Sequence, residues 1–367
     1  MAMHVIFPGP RTTIQDAGRL GHQNSGFAPG GFMDRVASKM ANVLVGNDDS
    51  EAVVEFCLIG PVLHFDEAVN IAVCGGDFGI EIAGKKSPAD KAVNVPAGST
   101  VQITTGQVGT YGSVAIGGGL DIPVVMGSRS TNLRCGIGGF HGRALMAGDE
   151  IPLRDPENGK KDYSHRWVPE RRTVAPLDPD LTKIRVIPGP QEDMFTEEGI
   201  RTFYNSVYQI TSHSDRMGYR LSGPAVESKN GYDILSDGIV NGSIQISGTG
   251  EPIVMMADRQ TTGGYAKIAS VCNPDIPVFA QLRPGQEVQF VRFTVQESQQ
   301  MIRRVNELWQ KHCRMLDELD KEKHAEKEPE KAVADGPYEV LTLRAGQQGK
   351  ARAGWKRGTK KGWRKNR

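Results

Sequence analysis

The sequence predicts a mainly β fold, built as two tandem barrel-like halves followed by one helix. Three observations predict it. The 367 residues include 44 Gly and 21 Pro, which supply tight turns between short strands rather than long helices. Short β-rich runs alternate with those turns, at 62–65, 70–74, 101–104, 113–116, 207–211, 243–246 and 288–293. The pattern then occurs twice: Val5-Ile6-Phe7-Pro8-Gly9-Pro10 returns as Val186-Ile187-Pro188-Gly189-Pro190, and Asp34-Arg35 returns as Asp215-Arg216. Residues 71–77 and 253–258 align on their terminal aspartates, Asp77 and Asp258, and 95–103 resembles 282–290.

The elements follow in order. A chain of 367 residues exceeds one ordinary core, so a first domain at 1–155 and a second at 183–295 are expected. In the first, 34–45 reads as a helix capped by Asp34, with Val36, Met40, Val43 and Leu44 on one face. The stretch 156–182, rich in Pro and charge, reads as a linker. After the second domain, 296–327 reads as an amphipathic helix whose stripe is Met301, Ile302, Val305, Leu308, Trp309, Leu316 and Leu319. The charged, then Gly- and basic-rich tail at 328–367 reads as disordered.

Charge and cysteines narrow the function classes. The net charge of +1 hides an asymmetry: ten Lys or Arg and no acid lie in 340–367, leaving 34 basic and 43 acidic residues before them. An acidic body is no nucleic-acid surface, although the basic tail, with Trp355 and Trp363, can touch RNA, dock on an acidic neighbour or stay solvated. The five scattered cysteines form neither a disulfide framework nor a metal-ligand pattern, and the eight histidines include no His-Glu-x-x-His. No metal is expected. The N-terminus carries no leader and no run is long enough to span a membrane, so a cytoplasmic protein is expected.

The most site-like stretch is 251–269. An apolar strand at 253–256 leads into Asp258, Arg259, Gln260, Thr261, Thr262, Gly263, Gly264 and Tyr265, and a second apolar run follows at 268–271. This is either a polar hairpin loop or a ligand site. Arg216, Arg220 and Arg259 can hold carboxylate or phosphate in bidentate fashion, or Arg216 and Arg220 pair with Asp215 in a turn. Asp258 can orient an arginine or take a proton. Gln260, Thr261 and Thr262 offer neutral donors and acceptors, Tyr265 a stacking face, and Gly263 and Gly264 reachable backbone N–H groups. A second polar group comprises Gln15, Asp16, Arg19 and Asp34, as anion binders or as a helix cap and structural ion pair. Ser128, Arg129, Ser130 and Thr131 either cradle an anion or form a turn.

These motifs carry a family resemblance. Gln15-Asp16-Ala17-Gly18-Arg19, Gly30-Gly31-Phe32-Met33-Asp34, 41–47 and Glu55 resemble the opening of the KipA family. Its members are called the C subunit of 5-oxoprolinase, allophanate hydrolase subunit 2 or biotin-dependent carboxyltransferase. Residues 117–123, then 126–131, 138–143, Gly148-Asp149, 214–221 and 257–269 continue the likeness over roughly residues 4–295. The resemblance implies two cyclophilin-like β-barrel domains. It implies a protein that works with two others, the KipI-type (B) and A components of 5-oxoprolinase, to hydrolyse ATP and open 5-oxo-L-proline to glutamate. It also allows a urea-type carboxyltransferase using carboxybiotin, or a non-catalytic regulator that binds KipI. Two departures lie beside the site. Residues 246–250 replace a Pro-containing turn after Gln245, itself a candidate substrate contact, and Ala266 stands where the family commonly has Pro. Gly117-Gly118-Gly119 is no Walker loop, so ATP with Mg²⁺ is expected to be shared with a partner protein.

Overall fold

The first half lays its strands into two antiparallel sheets. One runs in space Glu150–Pro152, Ala2–Phe7, Val62–Phe65, Ser99–Thr104, Gly79–Ile82, Lys85–Ser87. The other runs Thr13–Gln15, Val53–Cys57, Tyr111–Ile116, Val69–Gly75, Ala92–Val95. Strands of the first sheet show the alternation of a half-buried ribbon: in Ser99–Thr104, Val101 and Ile103 point inward while Thr100 and Gln102 face water. The central strands of the second are apolar on both faces for a reason. Val54, Phe56, Val73 and Val114 fill the core between the sheets, while Val53, Ala72, Cys74 and Ala115 meet the helix Arg35–Leu44.

That helix begins at Asp34, whose Oδ1 accepts the N–H groups of Val36 (3.1 Å) and Ala37 (3.0 Å). Such a cap satisfies donors that the first turn leaves unpaired. Met40 and Leu44 are buried as expected; Ala37 and Ala41 complete the stripe, and Val36 and Val43 are only half-buried.

The computed structural model describes residues 1–168 and 181–327. Within the expected linker, 169–180 therefore lies outside the described residues, as does the basic tail at 328–367.

The second half closes on itself. Its barrel runs Thr182–Pro188, Lys267–Val271, Ser243–Ile246, Pro252–Met255, Gly218–Ser222, Tyr208–Ile210, Glu287–Arg292. Closure pairs Thr182–Pro188 with Glu287–Arg292 in parallel and leaves no free edge. The interior is filled by Ile184, Val186, Tyr208, Tyr219, Leu221, Val254, Ile268, Val288 and Phe290, and Met33 and Tyr111 of the first half join this same cluster. Residues Met1–Ala325 form one compact unit.

One expectation needs correction. The runs at 253–256 and 268–271 are not the two arms of a hairpin. Pro252–Met255 and Lys267–Val271 both border Ser243–Ile246 and do not pair with each other. A connection that passes over an intervening strand must be long. This one carries its own strand, Thr262–Tyr265, paired with Asp233–Gly238 as a separate two-stranded arm.

The C-terminal helix, Val295–Lys327, lies on the first half. Trp309, Met315, Leu316 and Leu319 pack against the Arg35–Leu44 side of the core. Asp320 fastens it, accepting from Arg166 Nε (2.9 Å), from Arg166 Nη2 (2.5 Å) and from His165 (2.6 Å). Among the described residues, no helix is long and apolar enough to cross a membrane.

Candidate active site

The chemistry gathers where the two halves meet. Glu55 is the middle residue of the strand Val53–Cys57, and its side chain is only 2% exposed. Arg216 sits in the turn before Gly218–Ser222, where Asp215 Oδ1 accepts the Met217 N–H (2.8 Å). Asp258 follows the end of Pro252–Met255 and donates its own N–H to the Arg216 carbonyl (2.8 Å). Arg216 then grips three partners. Its Nε and Nη2 donate to the two Asp258 oxygens at 2.8 and 3.0 Å, its Nη1 donates to Glu55, and Nη2 also donates to the Gly31 carbonyl at 2.7 Å. The second Glu55 oxygen accepts the Met33 N–H (2.8 Å). One guanidinium thus ties a first-half strand and loop to a second-half turn and strand end. The bidentate geometry suits the planar fork of arginine and would not suit lysine.

Burial sets the electrostatics. It pulls the Arg216 guanidinium down, but the carboxylates of Asp258 and Glu55 outweigh it and hold the group firmly charged. Glu55 goes the other way: burial raises it above the usual carboxylate range, against the pull of Arg216. Two carboxylates share one cation, so neither is fully compensated.

A cleft of about 220 Å³ opens over this group. Its lining includes Arg216, Asp258 and Glu55 at the floor, Tyr111 and Cys57 on one wall, Thr13 and Asn132, and Arg11 and Arg134 toward water. Burial raises Tyr111 well above its ordinary value, so its hydroxyl is a neutral donor. Burial beside Glu55 pushes the Cys57 thiol up to about 11, which leaves it a poor nucleophile. Mixed polar groups around a small concavity suit a compact polar ligand carrying one anionic end.

A family model described as carboxyltransferase domain, subdomain A and B, matches residues 25–292. The chain belongs to this family. It is 34% identical over 306 residues to the C subunit of 5-oxoprolinase from Haemophilus influenzae, covering 83% of this chain and 96% of that protein. It is 35% identical to the corresponding C subunit from Escherichia coli, covering 81% and 93%. Among solved structures, the urea carboxylase of Kluyveromyces lactis superposes with a TM-score of 0.76 at 29% identity, over 87% of this chain. This carboxyltransferase-family chain spans only 29% of the length of that enzyme.

The residues singled out from sequence fall into several separate places. Asp258 and Arg216 line the cleft. Asp16, Ser128 and Ser130 form a closed network beside it: both serine hydroxyls donate to Asp16 Oδ1 at 2.6 Å, and the Arg129 N–H donates to Oδ2. Arg129 directs its own Nε to the Ile122 carbonyl (3.0 Å), and Gln15 donates to Thr13 Oγ1 (2.9 Å) and the Thr131 carbonyl (3.2 Å). In this network the Asp16 carboxylate itself takes the place an external anion would occupy. Asp34 is the helix cap and also accepts from Gln281 Nε2 (2.7 Å).

The other predicted residues lie elsewhere. Thr262, Gly263, Gly264 and Tyr265 form the strand paired with Asp233–Gly238, with Thr262 and Tyr265 exposed. Gln245 is buried and donates to the Tyr265 carbonyl (3.2 Å), bracing that arm from the barrel. Gln260 and Thr261 are half-buried in the approach to the arm, and the Thr261 carbonyl accepts the Ile239 N–H (3.0 Å). Arg220 is exposed on Gly218–Ser222 and is not among the residues that line the cleft. Arg19 and Arg259 are buried and hydrogen-bonded to backbone carbonyls.

Sequence reading did not place Glu55, Tyr111, Asn132, Arg11 or Arg134 in the site. A signal for Glu55 was present: a lone charge inside Ala52-Val53-Val54-Glu55-Phe56-Cys57 cannot stay unpaired in a core strand. For the others no signal existed, because their convergence is purely tertiary. The duplication also diverges here. Arg35 and Asp77, the counterparts of Arg216 and Asp258, do not pair: Arg35 donates to Asn273 Oδ1 (3.1 Å) and Asp77 is exposed.

Proposed function

We propose that this chain is the C subunit of an ATP-dependent 5-oxoprolinase, acting with a KipI-type B subunit and an A subunit to open 5-oxo-L-proline to L-glutamate. The observation that carries this reading is end-to-end likeness: the two 5-oxoprolinase C subunits are matched over 96% and 93% of their lengths. The cleft supports it. A lactam resists attack because amide resonance weakens both the electrophile and the leaving group. On the floor, Asp258 offers a carboxylate to which a ring N–H can donate, and Arg216 fixes its orientation. Arg11 and Arg134 at the mouth meet the substrate carboxylate, and the Tyr111 hydroxyl offers a neutral donor to developing charge on the lactam oxygen.

In this reading ATP with Mg²⁺ belongs to the assembled complex, shared between this chain and a partner protein. Among the described residues no three His, Cys, Asp or Glu side chains converge to hold a cation, and the two inner carboxylates of the cleft are engaged by Arg216. ATP supplies phosphoryl activation of the lactam oxygen when the complex binds it; this chain's residues bind and orient the ring.

A second reading is a carboxyltransferase that takes its carboxyl group from carboxybiotin. The carboxyltransferase family model and the urea carboxylase superposition favour it. One assay separates the two. The chain is purified with its A and B partners, and glutamate release is measured with ATP and 5-oxoproline. The expected result is turnover requiring both, lost in Asp258→Ala while the complex still assembles. Carboxybiotin-dependent turnover of urea with none of 5-oxoproline would overturn the first reading. Normal turnover by Asp258→Ala would overturn the placing of the site.

A further inference from the structure

Three cationic side chains among the described residues are buried to nine-tenths or more: Arg19 (0% exposed), Lys267 (3%) and Arg259 (5%). Lys267 has a carboxylate, Asp237 Oδ2 at 2.6 Å. Arg19 and Arg259 have none within ion-pair distance. Arg19 gives Nε to the Val125 carbonyl and Nη2 to the Ser130 carbonyl, both at 3.0 Å, and its buried Nη1 has no partner at all. Arg259 gives Nε to the Ile239 carbonyl (3.2 Å) and Nη1 to the Met256 carbonyl (3.4 Å). Buried guanidiniums held only by carbonyls, one with an idle N–H group, are costly unless something anionic completes them.

Their backbones flank Asp258 from opposite halves: the Arg19 N–H donates to the Pro29 carbonyl (2.6 Å), a Cβ on the adjoining Gly30 would stand 3.4 Å from Asp258 Oδ1, and Arg259 directly follows Asp258 in the chain. Gln23, four residues beyond Arg19, reaches the same Ile239 carbonyl that Arg259 uses (3.5 Å). The backbone between them is an exposed segment, 20–26, with Gly21 and Gly26 in open space. Gly31, at the base of this segment, holds φ +84 against Asp16 and Gly18 backbone that leaves no room for a Cβ. The other carboxylate facing Arg19 is Asp16, whose oxygens are taken by Ser128, Ser130 and the Gly18 and Arg129 N–H groups.

We propose that Arg19 and Arg259 form a subsite for a small oxyanion, a phosphate or a carboxylate, entered when the 20–26 segment lifts from Ile239. It lies outside the cleft lining, and it stands whether or not the complex acts on 5-oxoproline.

The test is ligand protection of the full chain in urea unfolding, with inorganic phosphate, 5-oxoproline and glutamate added separately to a chloride buffer. At least one should raise the midpoint of the wild type. Protection by phosphate alone identifies a phosphoryl subsite; protection by 5-oxoproline or glutamate identifies a carboxylate subsite only where Arg259→Met weakens it, because binding in the cleft survives that change. Arg259→Met should unfold no earlier than wild type without the anion, because it removes an uncompensated buried charge. Its protection by the anion should need a concentration about tenfold higher or more. Arg220→Gln, an exposed arginine remote from the subsite, should be protected like wild type. Arg19→Met should lose the same protection; should it fail to fold, Arg259→Met alone decides. The proposal is overturned if none of the three anions protects the wild type, or if Arg259→Met is protected equally.

Discussion

Arg216→Met is the most demanding test of the site's electrostatics. Arg216 is the cation in contact with both Glu55 and Asp258, and the three side chains are 11%, 2% and 13% exposed. Methionine fills a similar volume but leaves two carboxylates and the Gly31 carbonyl without their donor. Breaking a buried ion pair from one side costs about 3–5 kcal/mol, and a cation serving two acids belongs at the upper end. The loss should depend on pH. Burial already raises Glu55 above the usual range in the presence of Arg216, and removing the cation raises it further. An acid raised in the folded state destabilises that state above its unfolded value, near about 4.3. The deficit should therefore be largest at pH 8 and shrink as pH falls to 5, where the folded carboxyl takes up its proton. Urea unfolding at the two pH values measures this, with an unchanged slope confirming a like denatured state. Adding Glu55→Gln to Arg216→Met should recover part of the loss by removing an unpaired buried charge. A deficit below about 1 kcal/mol, or one identical at both pH values, would refute the reasoning.

Two further outcomes follow from the same structure. Asp320→Asn should loosen the C-terminal helix at pH 7, costing about 1–3 kcal/mol. The hydrogen bond from Arg166, then that from His165, holds the Asp320 carboxyl below its ordinary range despite burial, so its contribution is present above about pH 4 and is lost as pH falls further. Amide-exchange rates across 309–320 should rise in the variant at pH 7 and match wild type at low pH. Cys57, with its thiol pushed up to about 11, should react with iodoacetamide at pH 8 far more slowly than exposed Cys135, and Cys57→Ser should retain turnover. Rapid labelling of Cys57 in the native chain would mean that the cleft wall is open and its charge picture wrong.

Much of the architecture was legible in the residues. Turn signals and β-rich runs located strands such as 62–65 and 243–246 because period, length and Gly/Pro punctuation are local properties. Asp34 announced its helix because a cap acts on the next three residues. The duplication marked Arg216 as the counterpart of Arg35 and Asp258 as the counterpart of Asp77. It did not reveal that they bind each other, nor that Arg35 and Asp77 do not.

Sequence by itself determined the mainly β class, the repeat, the capped helix and the amphipathic C-terminal helix, since each rests on contacts within one turn or one strand. Tertiary structure alone decided the strand order around the barrel, and so turned an expected hairpin into a crossover bearing its own arm. It alone brought Glu55 to Arg216 across 161 positions of chain, seated the exposed arm away from the cleft, and left Arg19 and Arg259 in the interior without carboxylates. Charge pairing over such separations depends on which surfaces the folded halves bury together, and no local pattern encodes that.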